Sequence, residues 1–383
     1  MRAYVGESVL ARSIERVREM FATGEPVLSF SAGKDSGVCL ELLVMVAREL
    51  GRLPVRVVMR DEEVMFPGTY EYAERVAARR DEIDFHWVYA CQPVLNVFNR
   101  KLPYFWVFDP QLSSERWVRQ PPSIAYRIED LNIQNMVTHR RLRIDPSRLI
   151  WSVLGLRASE SPNRSLSIFS KGGWAARREI HPGVRTATPI YDWSDGDVWK
   201  FVQDSGFDYN GAYDVMHRLG LPRSRLRIAP PTMAVASMRT LDFARRAWPK
   251  WFDQVCERLE GVRTAAMFGS RAVLPIRHRG ETWQECFQRT CIEEAPRWIA
   301  DRAEQIRTDC LRWHARHSSL PPPEVEPCLM CGANGGCWKS MANNAYNGDP
   351  FVQKFTGHGY HLKYVEPEFF RPGSGQWGGS PTW

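Results

Sequence analysis

Two groups of residues in this chain have the types and spacing to do chemistry. Ser31-Ala32-Gly33-Lys34-Asp35-Ser36 follows the apolar run Val27-Leu28-Ser29-Phe30 and precedes the strongly apolar stretch 37–50. A loop between a strand's end and a helix's start is an anion site, because the first-turn N–H groups have no intrahelical partner and the helix dipole is positive there. Gly33 allows close backbone approach, Ser31 and Ser36 add hydroxyl donors, and Lys34 adds a full charge. The pattern is not a Walker A loop: Asp35 follows the lysine and the first glycine is missing. The second group is Cys328-x2-Cys331-x5-Cys337, with Cys310 18 residues upstream. Gly332, Gly335 and Gly336 let that loop wrap a metal. Four thiolates suit tetrahedral zinc or an iron–sulfur cluster, and the spacing does not separate them. His314 or His317 in place of Cys310 favours zinc.

Three further positions could complete a phosphate site. Arg157 follows the apolar run 149–154, at a strand's carboxyl end, and a guanidinium grips phosphate through two parallel bonds. Glu160 is placed to orient Arg157 or to bind a metal. Asp61 ends another strand on the same side, suited to a ribose hydroxyl, to Mg²⁺ or to a structural turn. Asp35 is a Mg²⁺ ligand or a helix cap.

These residues need elements to hold them. Runs 27–30, 55–59, 85–89 and 149–154 read as buried strands; 8–22, 37–50 and 69–80 read as helices between them. That alternation predicts an α/β fold with an open parallel sheet and helices on both faces. Residues 91–122 read as an irregular insertion, 123–141 as a helix capped by Ser123, and 161–183 as a mobile loop. Ser194 is expected to cap a helix with Asp195 and Asp197 in its first turn. Beyond residue 230 strand signals stop and the pattern is mainly helical. The domains expected are 1–230, 231–366 with the cysteines, and a Gly/Pro/Ser-rich tail, 367–383.

The 383 residues are 44% hydrophobic and 25% charged, the balance of a water-soluble globular chain. No apolar run reaches the roughly 18 residues a membrane span needs, and residues 1–25 lack a signal-peptide core; a cytoplasmic protein with no membrane partner is expected. Nine cysteines in that setting do not predict disulfides. A net charge of +7 permits anionic partners, nucleic acid included.

The loop resembles the Ser-x-Gly-x-Asp-Ser PP-loop of the ATP pyrophosphatase (adenine nucleotide alpha hydrolase) superfamily. Asp61–Tyr72, Gly155–Ser161 and Pro189–Trp199 resemble, in order, stretches of its phosphoadenosine phosphosulfate (PAPS) reductase-like family. Tyr209–Met216 is similar to the IbrA-type subgroup, and DndC-type proteins are further relatives. The resemblance implies binding of ATP or PAPS by Ser29, Phe30, Ser31, Ala32, Gly33, Lys34, Asp35, Ser36, Asp61, Arg157 and Glu160, with Lys34, Asp35 and Arg157 catalytic and Mg²⁺ on the phosphates. It implies a [4Fe–4S] cluster, or zinc, on Cys310, Cys328, Cys331 and Cys337. The function implied is a pyrophosphatase that adenylates an acceptor in sulfur transfer, nucleic acid being one candidate acceptor and a sulfur-donor protein a partner. The alternatives are a sulfonucleotide reductase, although its Glu-Cys-Gly-Leu-His segment is missing here, and a non-catalytic regulator acting with a ParB-like partner.

Overall fold

The computed structural model describes residues 7–96, 98–102, 104–222, 226–231, 238–268, 274–331 and 336–346. Gly332, Gly335 and the expected tail from residue 367 lie outside them. The chain divides into two compact units. One comprises Met1–Gln92 with Val107–Pro230; the other comprises Pro93–Trp106 with Pro231–Trp383. The short segment Pro93–Trp106 thus interrupts the first unit and goes with the second.

The first unit begins with α1 (Val9–Thr23), β1 (Gly24–Ser29), α2 (Lys34–Glu49), β2 (Val55–Arg60), α3 (Pro67–Ala77) and β3 (Ile83–Tyr89). The short β4 (Gln92–Leu95) and β5 (Tyr104–Val107) pair with one another. Then come β6 (Tyr126–Arg127), α4 (Ile133–Met136), α5 (His139–Leu142), β7 (Leu149–Val153), α6 (Pro162–Lys171), β8 (Ala175–His181), β9 (Val184–Ala187), α7 (Asp195–Ser205) and α8 (Ala212–Arg218). The main sheet has seven strands in the order β6-β3-β2-β1-β7-β9-β8. All neighbours are parallel except β8, which runs antiparallel to β9. β1 lies between β2 and β7, with Leu28 opposite both Val57 and Val153. Strands covered on both faces read as continuous apolar runs, so these were legible. Leu40, Leu42 and Leu43 of α2 are fully buried beside Leu28 and Val57. Each such leucine contributes about 1.5–3 kcal/mol.

Two segments differ from expectation. Residues 161–183 are not a loop: they form α6 and the β8–β9 hairpin. Ser161 Oγ accepts the Arg164 N–H at 3.2 Å, Pro162 opens α6, and Gly172, at φ +119°, closes it. Residues 123–141 are not one helix: β6, α4 and α5 divide them. The side-chain amide oxygen of Gln92 accepts the Leu131 N–H and the Asp130 carboxylate accepts that of Asn132, so the backbone there bonds outside a helical ladder.

The second unit contains α9 (Met238–Ala247), α10 (Pro249–Arg258), α11 (Val262–Phe268), α12 (Trp283–Phe287), a π-turn (Gln288–Glu293), α13 (Arg297–Ala315) and α14 (Trp338–Ala345). Phe287, Ile306, Trp338 and Met341 form its core. No helix among the described residues is long and apolar enough to cross a membrane.

Candidate functional site

Strand order reverses between β1 and β7, one leading to α2 and β2 on one side and the other to β9. Ligands of open α/β sheets bind outside the strands' carboxyl ends at such a reversal. The Ser31–Ser36 loop leaves β1 there and the Gly155–Arg157 segment leaves β7 there. The two touch closely. A side chain on Gly155 would place its Cβ 2.7 Å from the backbone C of Asp35 and N of Ser36. Glycine at 155 is required by that approach, which brings Arg157 to the loop.

Within the loop, the Ser36 hydroxyl is the hub. It accepts the Gly33 N–H at 3.1 Å, donates to the Gly33 carbonyl at 3.0 Å and lies 3.1 Å from Ser31 Oγ. Ala32 is buried and left-handed, at φ +55°. The Asn210 amide donates to its carbonyl at 3.0 Å and to Thr69 Oγ1 at 3.3 Å. Tyr213 accepts the Lys34 N–H at 3.1 Å, and burial pushes its hydroxyl pKa up. Gly33 itself needs no special backbone, with φ −87°, and its missing Cβ would meet Ser31 Oγ and Tyr213 OH at an ordinary 3.4 Å.

Lys34, Asp35, Arg157 and Asp195 form one ionic group. Lys34 Nζ lies 3.0 Å from Asp35 and 3.3 Å from Asp195. Arg157 Nε lies 2.6 Å from Asp35, Nη2 lies 3.3 Å from Asp195, and Nη1 bonds Ser159 at 3.2 Å. Lys34 and Arg157 are 7% and 4% exposed, while the Asp195 side chain is 42% exposed. α1 sets this geometry from behind. Arg16 grips Asp192 with two bonds of 2.8 and 2.6 Å and the Pro189 carbonyl at 2.7 Å, and Trp193 Nε1 donates to Ser13. Ser194 and Asp197 form the expected capping box, which fixes Asp195 at the start of α7.

The remaining predicted positions are placed as follows. Ser29 Oγ lies 3.4 Å from Ser152 Oγ, and Phe30 packs on Tyr72 and Phe85. The Glu160 carboxylate pairs with Arg164 four residues on, because α6 begins there, and Glu160 meets Arg157 only through its backbone N–H, 3.3 Å from the Arg157 carbonyl oxygen. Asp61 faces inward, fully buried. Its carboxylate accepts from Trp87 Nε1 at 2.9 Å, the Glu63 N–H at 3.0 Å and Tyr70 OH at 3.1 Å. Burial raises its pKa, opposed by the Trp87 bond and the Arg119 charge. That is the structural-turn role, with its oxygens already engaged. Asn210, Tyr213 and Asp195 were not singled out as site residues from the sequence, although each lies inside a stretch that carried the family likeness.

In the second unit, a ring nitrogen of His314 and the sulfurs of Cys328 and Cys331 lie within 4.8 Å of one another. Hydrogen bonding from the Cys331 N–H holds the Cys328 thiol below its usual pKa. Cys310 and Cys337 are outside this group of three; burial pushes Cys310 up to about 12.

Residues 25–101 match the family described as phosphoadenosine phosphosulfate reductase domain. The uncharacterized protein YbdN of Escherichia coli (strain K12) is 24% identical over 347 residues, covering 84% of this chain and 83% of YbdN. The adenosine 5'-phosphosulfate reductase of Staphylococcus saprophyticus is 22% identical over 188 residues, covering 49% of this chain and 65% of the reductase. A solved PAPS reductase from Candida auris, in a phosphate complex, aligns with TM-score 0.32 and 16% identity over 53% of this chain and 84% of that one. Residues 25–101, which hold the Ser31–Ser36 loop and the Asp61–Tyr72 stretch, are PAPS reductase-like, as those two motifs implied.

Proposed function

We propose that the first unit binds ATP on the Ser31–Ser36 loop, cleaves it between the α and β phosphates, and adenylates an acceptor in a sulfur-transfer reaction. The observation that carries this reading is the pair of buried cations, Lys34 and Arg157, held at the sheet's reversal by Asp35 and Asp195. An incoming triphosphate takes the carboxylates' place on those cations, and Arg157 meets it with parallel N–H groups. An acceptor oxygen or sulfur attacks the α-phosphorus, and the bridging oxygen leaves with pyrophosphate. Lys34 and Arg157 stabilise the charge that develops on the phosphates. Asp35 and Asp195, released from the cations, are a carboxylate pair suited to Mg²⁺, which would neutralise the phosphates when bound. Gly33 has no internal reason to be glycine, so the room it leaves is room for a phosphate oxygen.

Nucleic acid as acceptor, a sulfur-donor protein as partner and the IbrA/DndC-type likeness belong to this proposal. A sulfonucleotide reductase is the second reading, supported by the named activity of the staphylococcal relative and opposed by the missing Glu-Cys-Gly-Leu-His segment. Pyrophosphate release from ATP, abolished in Lys34→Ala, is the expected result. Sulfite release from a sulfonucleotide would establish the second reading. Binding of ATP and PAPS without turnover of either would leave the regulator with a ParB-like partner.

A further inference from the structure

The three donors gathered in the second unit carry an inference independent of the nucleotide reading. A ring nitrogen of His314 and the Sγ atoms of Cys328 and Cys331 lie within 4.8 Å of one another. Tetrahedral donors about 2.0–2.3 Å from one ion lie roughly 3.3–3.8 Å apart, so three donors already within 4.8 Å of one another need only small side-chain movements to enclose a single ion. His314, 4% exposed, has Nε2 2.8 Å from the Leu320 carbonyl oxygen. A carbonyl only accepts, so Nε2 carries the hydrogen. The neutral ring then presents its lone pair at Nδ1, which is buried and without a hydrogen-bond partner among the described residues. That pairing, one ring nitrogen on a carbonyl and the other left for an ion, is how metal-binding histidines are oriented. The backbone N–H groups of Met330 and Cys331 point at the Cys328 sulfur and hold it in the turn. Trp313 Nε1 donates to the Cys331 carbonyl at 2.9 Å and fixes the turn between the cysteines against α13.

The four-cysteine set expected from the sequence does not fit this arrangement. Cys337 caps the start of α14, outside the group of three: its sulfur lies 3.1 Å from the Val325 carbonyl oxygen and 3.1 Å from Ser340 Oγ, and accepts the Ser340 N–H at 3.4 Å, whereas Cys331 Sγ, at a longer 3.7 Å from the Cys328 carbonyl oxygen, stays within reach of His314 and Cys328. Cys310 stands one helical turn before His314 on α13, outside the group of three.

We propose that His314 Nδ1, Cys328 and Cys331 bind a single zinc ion, with water in its fourth position, and that this centre is not an iron–sulfur cluster. The full chain, purified anaerobically, is analysed for zinc and iron, then stripped and titrated with Co²⁺. One zinc per chain is expected, and Co²⁺ should give the visible bands of a tetrahedral ion with sulfur-to-cobalt charge transfer. His314→Ala should weaken Co²⁺ at least tenfold. Should that variant fail to fold, His314→Cys keeps the question open to measurement: it should retain the ion, with its bands shifted by the third sulfur. Cys310→Ala and Cys337→Ser should keep stoichiometry and spectrum, serine being a good helix cap in its own right. Iron and inorganic sulfide at cluster stoichiometry would overturn the proposal. So would loss of the ion in Cys310→Ala or Cys337→Ser, an unchanged cobalt spectrum in His314→Cys, or failure of the folded wild-type chain to bind either metal.

Discussion

The side-chain amide of Asn210 donates to the carbonyl oxygen of Ala32, 3.0 Å away, and Ala32 is the left-handed residue of the phosphate loop at φ +55°. A non-glycine residue there costs roughly 1–2 kcal/mol, so something must hold it. Asn210, wholly buried, does so while its own oxygen accepts the Ala212 N–H at 2.9 Å. Asn210→Asp keeps the acceptor and turns the donor into an oxygen facing an oxygen. It should destabilise the first unit by about 1–3 kcal/mol and weaken ATP binding. Ala32→Gly in that background should recover part of both losses, since glycine adopts the same φ without strain. Thermal melts and ATP titrations of the two single variants and the double decide the matter; purely additive losses would count against the coupling.

Asp61 sits at the carboxyl end of β2, where the sequence suggested a ribose or Mg²⁺ ligand, yet both oxygens are taken by Trp87, Tyr70 and Glu63. Asp61→Asn must turn an NH₂ toward a donor. The expected cost is about 1–3 kcal/mol, read as a lower thermal midpoint. ATP affinity and Mg²⁺ dependence, measured where the variant is folded, should stay within about twofold of wild type, well under the tenfold that 1.4 kcal/mol represents. A selective rise in the Mg²⁺ requirement without loss of stability would restore the ligand role.

The parallel strands and the phosphate loop were legible because strands buried on both faces are unbroken apolar runs, and because a glycine-containing turn between strand and helix has few other readings. Pro162, Gly172 and Gly183 misled for the opposite reason. In the sequence they read as loop punctuation, whereas in the structure they open α6, close it and turn the β8–β9 hairpin. The partner of Glu160 was lost with that helix, since Arg164 is its neighbour only at helical i,i+4 spacing. Asn210, Tyr213 and Asp195 reach the loop across more than 150 residues of chain, a distance over which periodicity carries no information. His314 and Cys310 are one turn apart on one helix, and only the tertiary path of residues 320–331 distinguishes them.

Arg157 divides its guanidinium among Asp35, Asp195 and Ser159. A lysine ammonium carries the charge without the planar fork, so Arg157→Lys gives up at least one charge-assisted bond to the phosphates, about 1.5–3 kcal/mol. ATP should bind roughly 10–100-fold more weakly. Asp195→Asn should act the other way in the absence of Mg²⁺. It removes a carboxylate that competes for both cations, so metal-free ATP should bind more tightly, while Mg²⁺-dependent pyrophosphate release falls. Titrations with and without EDTA test this; weaker metal-free binding in Asp195→Asn would refute the exchange of carboxylates for phosphate.

Two glycines of the site should answer the same substitution differently. At Gly155 an added Cβ stands 2.7 Å from backbone atoms of Asp35 and Ser36, which cannot swing aside as a side chain would. Gly155→Ala should force β7's outgoing chain off the loop, lower stability by about 1–3 kcal/mol and weaken ATP binding with it. At Gly33 the backbone is already in a region open to alanine, and the nearest atoms are 3.4 Å from the new Cβ. Gly33→Ala should therefore leave the thermal midpoint unchanged or raise it, by the roughly 0.4–1 kcal/mol that a strain-free Gly→Ala exchange supplies through the unfolded chain. The space it fills is the space proposed for a phosphate oxygen, so ATP binding should be lost from a protein as stable as wild type. If Gly33→Ala binds ATP normally, the phosphates lie elsewhere and the loop is only a turn.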